Sequence, residues 1–437
     1  MENIYKIIEN EFENIIKDLS TLISMKTIEN IGENGTPFGC ENKRALDFIV
    51  QKAQEFGIKY KNVDDYVCWL EIGKGNEMIG IPVHLDIVPE GLGWDTDPFR
   101  LEEKDGYFYG RGMVDNKGPA IIMLYLLKFL KNNKKLNKRV RVIFGTNEET
   151  GMRCIKHYIE KEEIPTIGFT PDALYPVVVG EKGRLHVKIS KNFKIKRSET
   201  YIKFWGGEKS NIVPANAECE IYNYTDDNSS LRLAYRGVAC HASTPEKGIN
   251  AISELIKMVL LKDKNKIINI EILEKINELL LEDKNKNLYK IGEKLGKLTL
   301  NVGTMKMSEK EFICELDIRY PETITKEEIK KHLEEKFDSS YKIEILVSKP
   351  IHYVEENSEI VIKLLKVLKN MKISNNEKPV TMGGGTYASY FENMVAFGPK
   401  YKNIKTGGHG KNENMSKEDF KKNILIYYNA IITLSEK

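Results

Sequence analysis

Along residues 4–24 the apolar side chains Ile4, Ile7, Ile8, Phe12, Ile15, Ile16, Leu19 and Ile23 recur at three- and four-residue spacing. That spacing predicts an amphipathic helix opening the chain. Strand and helix signals then alternate. Met78–His84 predicts a strand, and its Pro82, which removes a ladder hydrogen bond, predicts a free strand edge there. Gly118-Pro119 opens an apolar helix through Leu130, with proline in a favourable first-turn position. Val140–Gly145 predicts a strand, the stretch near Cys154–Lys161 a helix and Pro165–Thr170 a further short strand. This rhythm predicts an α/β unit with a mainly parallel sheet covered by helices.

From about Arg184 the texture changes. Alternating strands such as Leu185–Ile189 and Phe312–Ile318 mix with amphipathic stretches near 250–261, 271–281 and 326–337, predicting an α+β unit. From about Pro379 glycine-rich loops return, and Ser416 caps a last helix with Asp419 at its third position. Acidic and histidine-bearing segments fall on both sides of the middle stretch. The expected organisation is one domain (residues 1–183 and 377–437) interrupted by an inserted domain (residues 184–376).

A length of 437 residues suits two or three domains. The balance of 67 basic against 64 acidic residues, a formal charge of +3, gives no footprint for nucleic acid or a membrane surface. The basic run Lys128–Arg141 holds a single aromatic, Phe129, too few for the stacking of a single-strand binder, and a solvated helix end and loop is expected. The start of the chain lacks an apolar signal core, and no stretch reaches about 20 apolar residues. Six scattered cysteines without a C-x-x-C pair read as reduced thiols, so a cytoplasmic location is expected.

Four segments place acids and a histidine at predicted strand ends, where open α/β sheets form their sites. His84-Leu-Asp86 offers a ligand and a carboxylate to orient it. Gly110–Pro119 carries Asp115 in a glycine-rich loop before a helix. Asn147-Glu148-Glu149-Thr-Gly151 offers one acid as ligand and one as general base. Thr170-Pro-Asp172 follows an apolar strand. Each alone fits a cap or a solvated turn. Together they supply oxygen and imidazole donors without thiolate, which suits catalytic zinc, manganese or cobalt. A shared carboxylate would allow two ions.

These segments resemble the metal motifs of the M20 metallopeptidases, and more narrowly the dipeptidase V, carnosinase-like branch. Further matches are Gly180–Gly183, His241–Glu246 with Gly248 and Asn250-Ala251, Asp317–Pro321 and Met382–Ala388, so the similarity runs from the first helix to the last. The resemblance implies a zinc-exopeptidase-type catalytic domain with an inserted lid. It implies two zinc ions, with Mn2+ or Co2+ as substitutes. His84, Asp115 and Asp172 would bind one, and Asp115, Glu149 and His409 the other. Glu148 would be the general base, Asp86 would orient His84, and His241 would stabilise the oxyanion. Asn211 and Arg319 would hold the substrate's terminal carboxylate, with Gly383, Gly384, Gly385 and Thr386 lining the same pocket. A cis peptide between Asp115 and Asn116 is also implied. Gly410 and Ser389 depart from the family pattern, where Gln and Arg are common, and both departures bear on specificity.

The expected activity is hydrolysis of dipeptides or very short peptides with a free N-terminus. The rival is an M20 amidase or deacylase acting on N-acyl amino acids; a peptide-binding protein without catalysis is a more distant one. Lid closure, with hinges near Glu181–Gly183 and Ile373–Pro379, would restrict substrate length. A monomer is expected, with a homodimer as the alternative. The remaining histidines, His157, His186, His332 and His352, and the cysteines are expected to be ordinary surface or core residues.

Overall fold

The opening periodicity becomes a helix, Glu2–Ile23, burying Ile4, Ile8, Phe12, Ile15, Leu19, Leu22 and Ile23. Each such side chain contributes roughly 1.5–3 kcal/mol by leaving water. The computed structural model describes residues 2–436 apart from 31, 33–34, 134–135, 196–199, 223–229, 263–266, 374–377 and 403. Contacts divide the chain into two compact units. The first comprises Met1–Val179, His352–Val380 and Thr386–Lys437; the second comprises Gly180–Ile351 and Thr381–Gly385.

The first unit is built on a sheet whose strands run in the order Lys59–Val63, Val67–Ile72, Arg139–Gly145, Met78–His84, Ile167–Thr170, Met394–Ala396, Val178–Glu181 and His352–Tyr353. The four strands from Arg139–Gly145 to Met394–Ala396 are parallel, whereas Lys59–Val63, Val67–Ile72 and Val178–Glu181 pair antiparallel. Parallel pairing is thus confined to the middle of a mixed α/β sheet. Both faces are covered. Leu70, Val142 and Phe144 join a core shared with the helices Glu2–Ile23, Cys40–Phe56, Lys117–Leu130, Glu359–Asn370 and Lys417–Ser435. Val67, Trp69 and Ile143 point the other way, toward Ile155 and Tyr158 of the helix Arg153–Lys161. The alternation follows from the two-residue period of a strand. Two-sided cover explains why Met78–His84 is buried at every position.

One expectation is met locally and two change. Pro82 lies in an interior strand, yet its ladder toward Ile167–Thr170 ends at Gly80–Gly168, so that side of the strand is free at Pro82, as expected, and no neighbour needs its missing N–H. Its carbonyl instead accepts the Thr170 hydroxyl at 2.9 Å. The inserted segment ends at Ile351 rather than residue 376, because Ile360, Val361, Leu364 and Leu368 of the helix Glu359–Asn370 pack into the first unit's core. The expected hinge at Ile373–Pro379 accordingly falls inside the first unit, with 374–377 outside the described residues. The basic run is not all solvated: Arg141 is buried and bonds Glu71, because it lies in the strand Arg139–Gly145. Lys134 and Lys135 of that run lie outside the described residues.

The second unit holds a seven-stranded sheet in the order Ser230–Arg236, Asn216–Tyr222, Tyr201–Gly206, Thr299–Met307, Glu311–Tyr320, Gly183–Asn192 and Lys342–Lys349. All its ladders are antiparallel. Gly183, Leu185, Val187 and Ile189 are buried while the residues between them are not, as expected of a sheet with one covered face. The cover comes from Ala251–Leu260, Ile270–Leu280 and Lys326–Lys336, the last opened by a reciprocal Thr325–Glu328 cap. Among the described residues no helix is long and apolar enough to cross a membrane, and all six cysteines are free.

Candidate metal centre

The strand Met78–His84 ends on His84, which is 1% exposed. Its ring is held at both nitrogens. Nδ1 lies 2.9 Å from the main-chain carbonyl of Asp86, nearer than that residue's carboxylate at 3.4 Å, and Nε2 lies 3.0 Å from Asp115 Oδ1. A carbonyl only accepts, so Nδ1 keeps its hydrogen and Nε2 is the nitrogen offered to the site. The Asp86 carboxylate also reaches the next strand end, where its Oδ2 accepts the backbone N–H of Glu149 at 3.0 Å.

Asp115 closes the Gly110–Asp115 loop just before the helix Lys117–Leu130, and its peptide bond to Asn116 is cis. Glu413 shapes that loop from below. Its buried carboxylate accepts the N–H groups of Gly112, Val114 and Asp115 at 3.0, 2.8 and 3.0 Å, and Arg111 Nη1 donates to it at 2.8 Å. Asp115 caps nothing: its two oxygens face His84 on one side and, at 3.3 Å, His409 Nε2 on the other. His409 also lies 3.0 Å from Glu149 Oε1. Ligand atoms of His84, Asp115 and Glu149 fall within 4.8 Å of one another, as do those of His84, Glu148 and Asp172.

This convergence is electrostatically crowded. Burial and the neighbouring Asp115 and Glu148 push the Asp172 carboxyl well above its usual range. Burial would raise Asp115 too, but the Lys400 ammonium, His409 and His84 outweigh it and hold that carboxyl well below. His409 is pushed up to about 11, chiefly by Glu149. Burial opposes a charged His84, yet Asp115, Asp86 and Asp172 win and raise it well above its ordinary value. Four carboxylates and two imidazoles in one cluster, buried on the His84 side and open at His409, fit divalent cations, which would relieve the repulsion, and the donors are of the hard and borderline kind.

All the expected ion-binding residues, His84, Asp115, Glu149, Asp172 and His409, belong to the first unit with Glu148 and Asp86. The other expected site residues belong to the second unit, except Thr386. His241 lies opposite Ile212 in a two-strand ladder, its Nδ1 is 2.7 Å from Ser243 Oγ, and Asn211 accepts the Ala242 N–H at 2.9 Å. Arg319 is 3% exposed and already engaged: it is bonded to Asp317 and donates to the Gly383 carbonyl at 2.8 Å. It therefore fixes the glycine loop in place, a contact that the sequence does not signal. Gly385 receives a 3.4 Å contact from Lys349. Thr386 caps the turn Tyr387–Tyr390, and Ser389 donates to its carbonyl at 2.8 Å.

Sequence reasoning misses Lys400, Glu413 and Tyr387 as parts of the centre. Tyr387 is buried, with its ring perpendicular to that of His84 at 6.3 Å and its hydroxyl 2.9 Å from Cys154 Sγ. A Cβ at Gly145 would stand 2.2 Å from that hydroxyl, so the strand end needs a glycine. The other histidines are ordinary: His157 faces Asp64, His186 faces Glu315, His332 faces Asn285 and His352 contacts the Met394 carbonyl.

A Bacillus subtilis (strain 168) protein provisionally named as a dipeptidase, YtjP, is 31% identical across 97% of this chain and 98% of its own length. Human carnosine dipeptidase 1 shares the fold at a TM-score of 0.65 and 15% identity, with 99% of each chain covered. The dipeptidase Dug1p from Saccharomyces cerevisiae does so at 0.64 and 15%, covering 99% of this chain and 98% of its own. The model of peptidase family M20/M25/M40 matches residues 80–433. A metal-ligand cluster at the strand ends, a full-length relative and a family match over most of the sequence agree: the chain belongs to peptidase family M20/M25/M40.

Proposed function

We propose that this protein is a metal-dependent dipeptidase with two zinc ions, for which Mn2+ or Co2+ can substitute. The observation that carries the reading is the meeting of His84, Asp115, Glu149, Asp172 and His409 around Glu148 in a family of peptidases. The full-length likeness to the Bacillus subtilis protein supports dipeptides over N-acyl amino acids as substrates. In this reading His84, Asp115 and Asp172 hold one ion, and Asp115, Glu149 and His409 hold the other.

Divalent ions bound there supply Lewis acidity that polarises the scissile carbonyl and acidifies water. The chain's own residues do the rest. Glu148 takes the proton of the attacking water and returns it to the leaving amine. Asp86 O holds the His84 ring in the tautomer that offers Nε2. His241 is proposed to stabilise the oxyanion. Asn211 and the loop Gly383–Thr386 are proposed to read the substrate's carboxylate, with Arg319 acting partly through its bond to Gly383. A cytoplasmic, monomeric enzyme fits the scattered free thiols and the inserted unit.

The test is turnover of a panel of dipeptides and N-acyl amino acids by protein stripped with a chelator and reloaded with Zn2+, Mn2+ or Co2+. Dipeptide hydrolysis that disappears on stripping and returns on reloading is expected. Turnover confined to N-acyl amino acids, or full activity of the stripped protein, would overturn the reading.

A further inference from the structure

Lys400 brings an ammonium group into the cluster of carboxylates. Its Nζ lies 3.4 Å from Asp115 Oδ2, the oxygen that also faces His409. The backbone fixes where the residue stands. Pro399 and Lys400 pair in parallel with Ala173 and Leu174, directly after Asp172. The Ala173 N–H donates to the Gly398 carbonyl at 2.6 Å, and the Tyr175 N–H to the Lys400 carbonyl at 2.9 Å. On its far side a Cβ at Gly408 would stand 3.8 Å from Nζ, so the ammonium sits against the chain that carries His409. Two elements bearing proposed ion ligands thus flank one fixed positive charge.

Charge counting gives this position a consequence. Asp86, Asp115, Glu148, Glu149 and Asp172 carry five negative charges when ionised, of which two divalent ions would balance four. Glu413 is matched by Arg111. The ammonium matches the remaining charge, but it stands on Asp115 rather than on Asp86, at the same oxygen that faces the proposed ligand His409. At such separations in a partly buried site Coulomb energies are large compared with RT.

We propose that Lys400 competes with divalent ions for the carboxylate of Asp115 and so sets how tightly the centre holds its second ion. It acts through Asp115 and binds no ion itself. Neutralising it should tighten ion binding, the reverse of what loss of a supporting residue usually does. The inference rests on the two-ion reading.

The experiment compares the full-length protein with Lys400→Met, Lys400→Gln and Lys400→Arg. Each is stripped and titrated with Mn2+ by calorimetry, in competition with a chelator of known affinity. The two neutral variants are expected to bind the second Mn2+ at least about tenfold more tightly, a size typical of changes next to metal ligands. Lys400→Arg, which keeps the charge, should stay within about threefold of the wild type. Melting of the ion-free and loaded forms gives a second readout: the rise in Tm on loading should be larger in the neutral variants.

Unchanged or weaker binding in both neutral variants would overturn the proposal, as would equal tightening in Lys400→Arg. If the neutral variants unfold without ions and refold on adding Mn2+, the midpoint of refolding reports the same affinity, and refolding at lower Mn2+ than the wild type binds supports the proposal. Refolding only at higher Mn2+, or variants unfolded at every Mn2+ concentration, would assign Lys400 a purely structural role. Wild-type protein that binds fewer than two Mn2+ would instead overturn the two-ion reading itself.

Discussion

Asp86 Oδ2 accepts the backbone N–H of Glu149 at 3.0 Å, which ties the end of the strand bearing His84 to the turn bearing both glutamates. Because Asp86 is 2% exposed, truncation would leave that N–H without its acceptor. Asp86→Ala is expected to weaken ion binding by about 10–100-fold, the range seen when groups behind metal ligands are removed. Asp86→Asn keeps an acceptor and should lose less. Competition with a chelator measures both; equal affinity in the wild type and Asp86→Ala would show that the tie is dispensable.

Glu148 and Glu149 are adjacent in sequence, and both reach the cluster around His84. Their expected losses differ. Glu148→Ala should retain its ions and lose about 10³-fold in turnover, within the range for a removed general base. Glu149→Ala should lose an ion, because His409 and Asp115 would be left without their third partner. Ion stoichiometry per chain, set beside turnover, separates the roles. Identical stoichiometry in the two variants would refute the assignment.

Glu413→Ala should be costly even without substrate. It removes the carboxylate partner of the buried Arg111 guanidinium and the acceptor of the N–H groups of Gly112, Val114 and Asp115. Removing one member of a buried ion pair typically costs about 3–5 kcal/mol. Urea unfolding of the ion-free protein checks this, and a loss below about 1 kcal/mol would mean that the loop holds its shape by other contacts.

His241→Ala is expected to keep full ion content while turnover falls about 10²–10³-fold, the usual effect of losing one oxyanion donor. A length series from dipeptide to pentapeptide should show steep decline beyond the shortest members. Wild-type turnover in the variant would reduce His241 to the hydrogen-bond partner of Ser243.

Much of the centre is legible in local sequence because its donors sit where strands stop: His84 ends Met78–His84, Asp172 follows Ile167–Thr170, and the glutamates follow Arg139–Gly145. Period and punctuation report such places directly. Lys400 is not legible in the same way. A lysine after Gly-Pro looks like a surface residue, and only the pairing of Pro399–Lys400 with Ala173–Leu174 turns it inward. The helix Glu359–Asn370 shows the same limit. Its apolar stripe says that it packs, but not against which of two cores, and that choice moves the domain boundary from residue 376 to Ile351. Pro82 is legible in its local sense, since the ladder beside it ends two residues early and leaves that side free, but it does not tell that the strand itself is interior.

The first unit is discontinuous, and its strand Ile167–Thr170 pairs with Met394–Ala396 from the far end of the chain. During synthesis at about 5–20 residues per second, His409 emerges on the order of ten seconds or more after Asp172. Throughout that interval the nascent sheet presents an unpaired edge beside Phe169, a place where other chains can add. Four of the five proposed ligands are already made, but the one that completes the second ion's set is not. Completion of the second proposed ion's set is thus a late event in synthesis, and premature release of the chain leaves a product with both a sticky edge and a half-built centre.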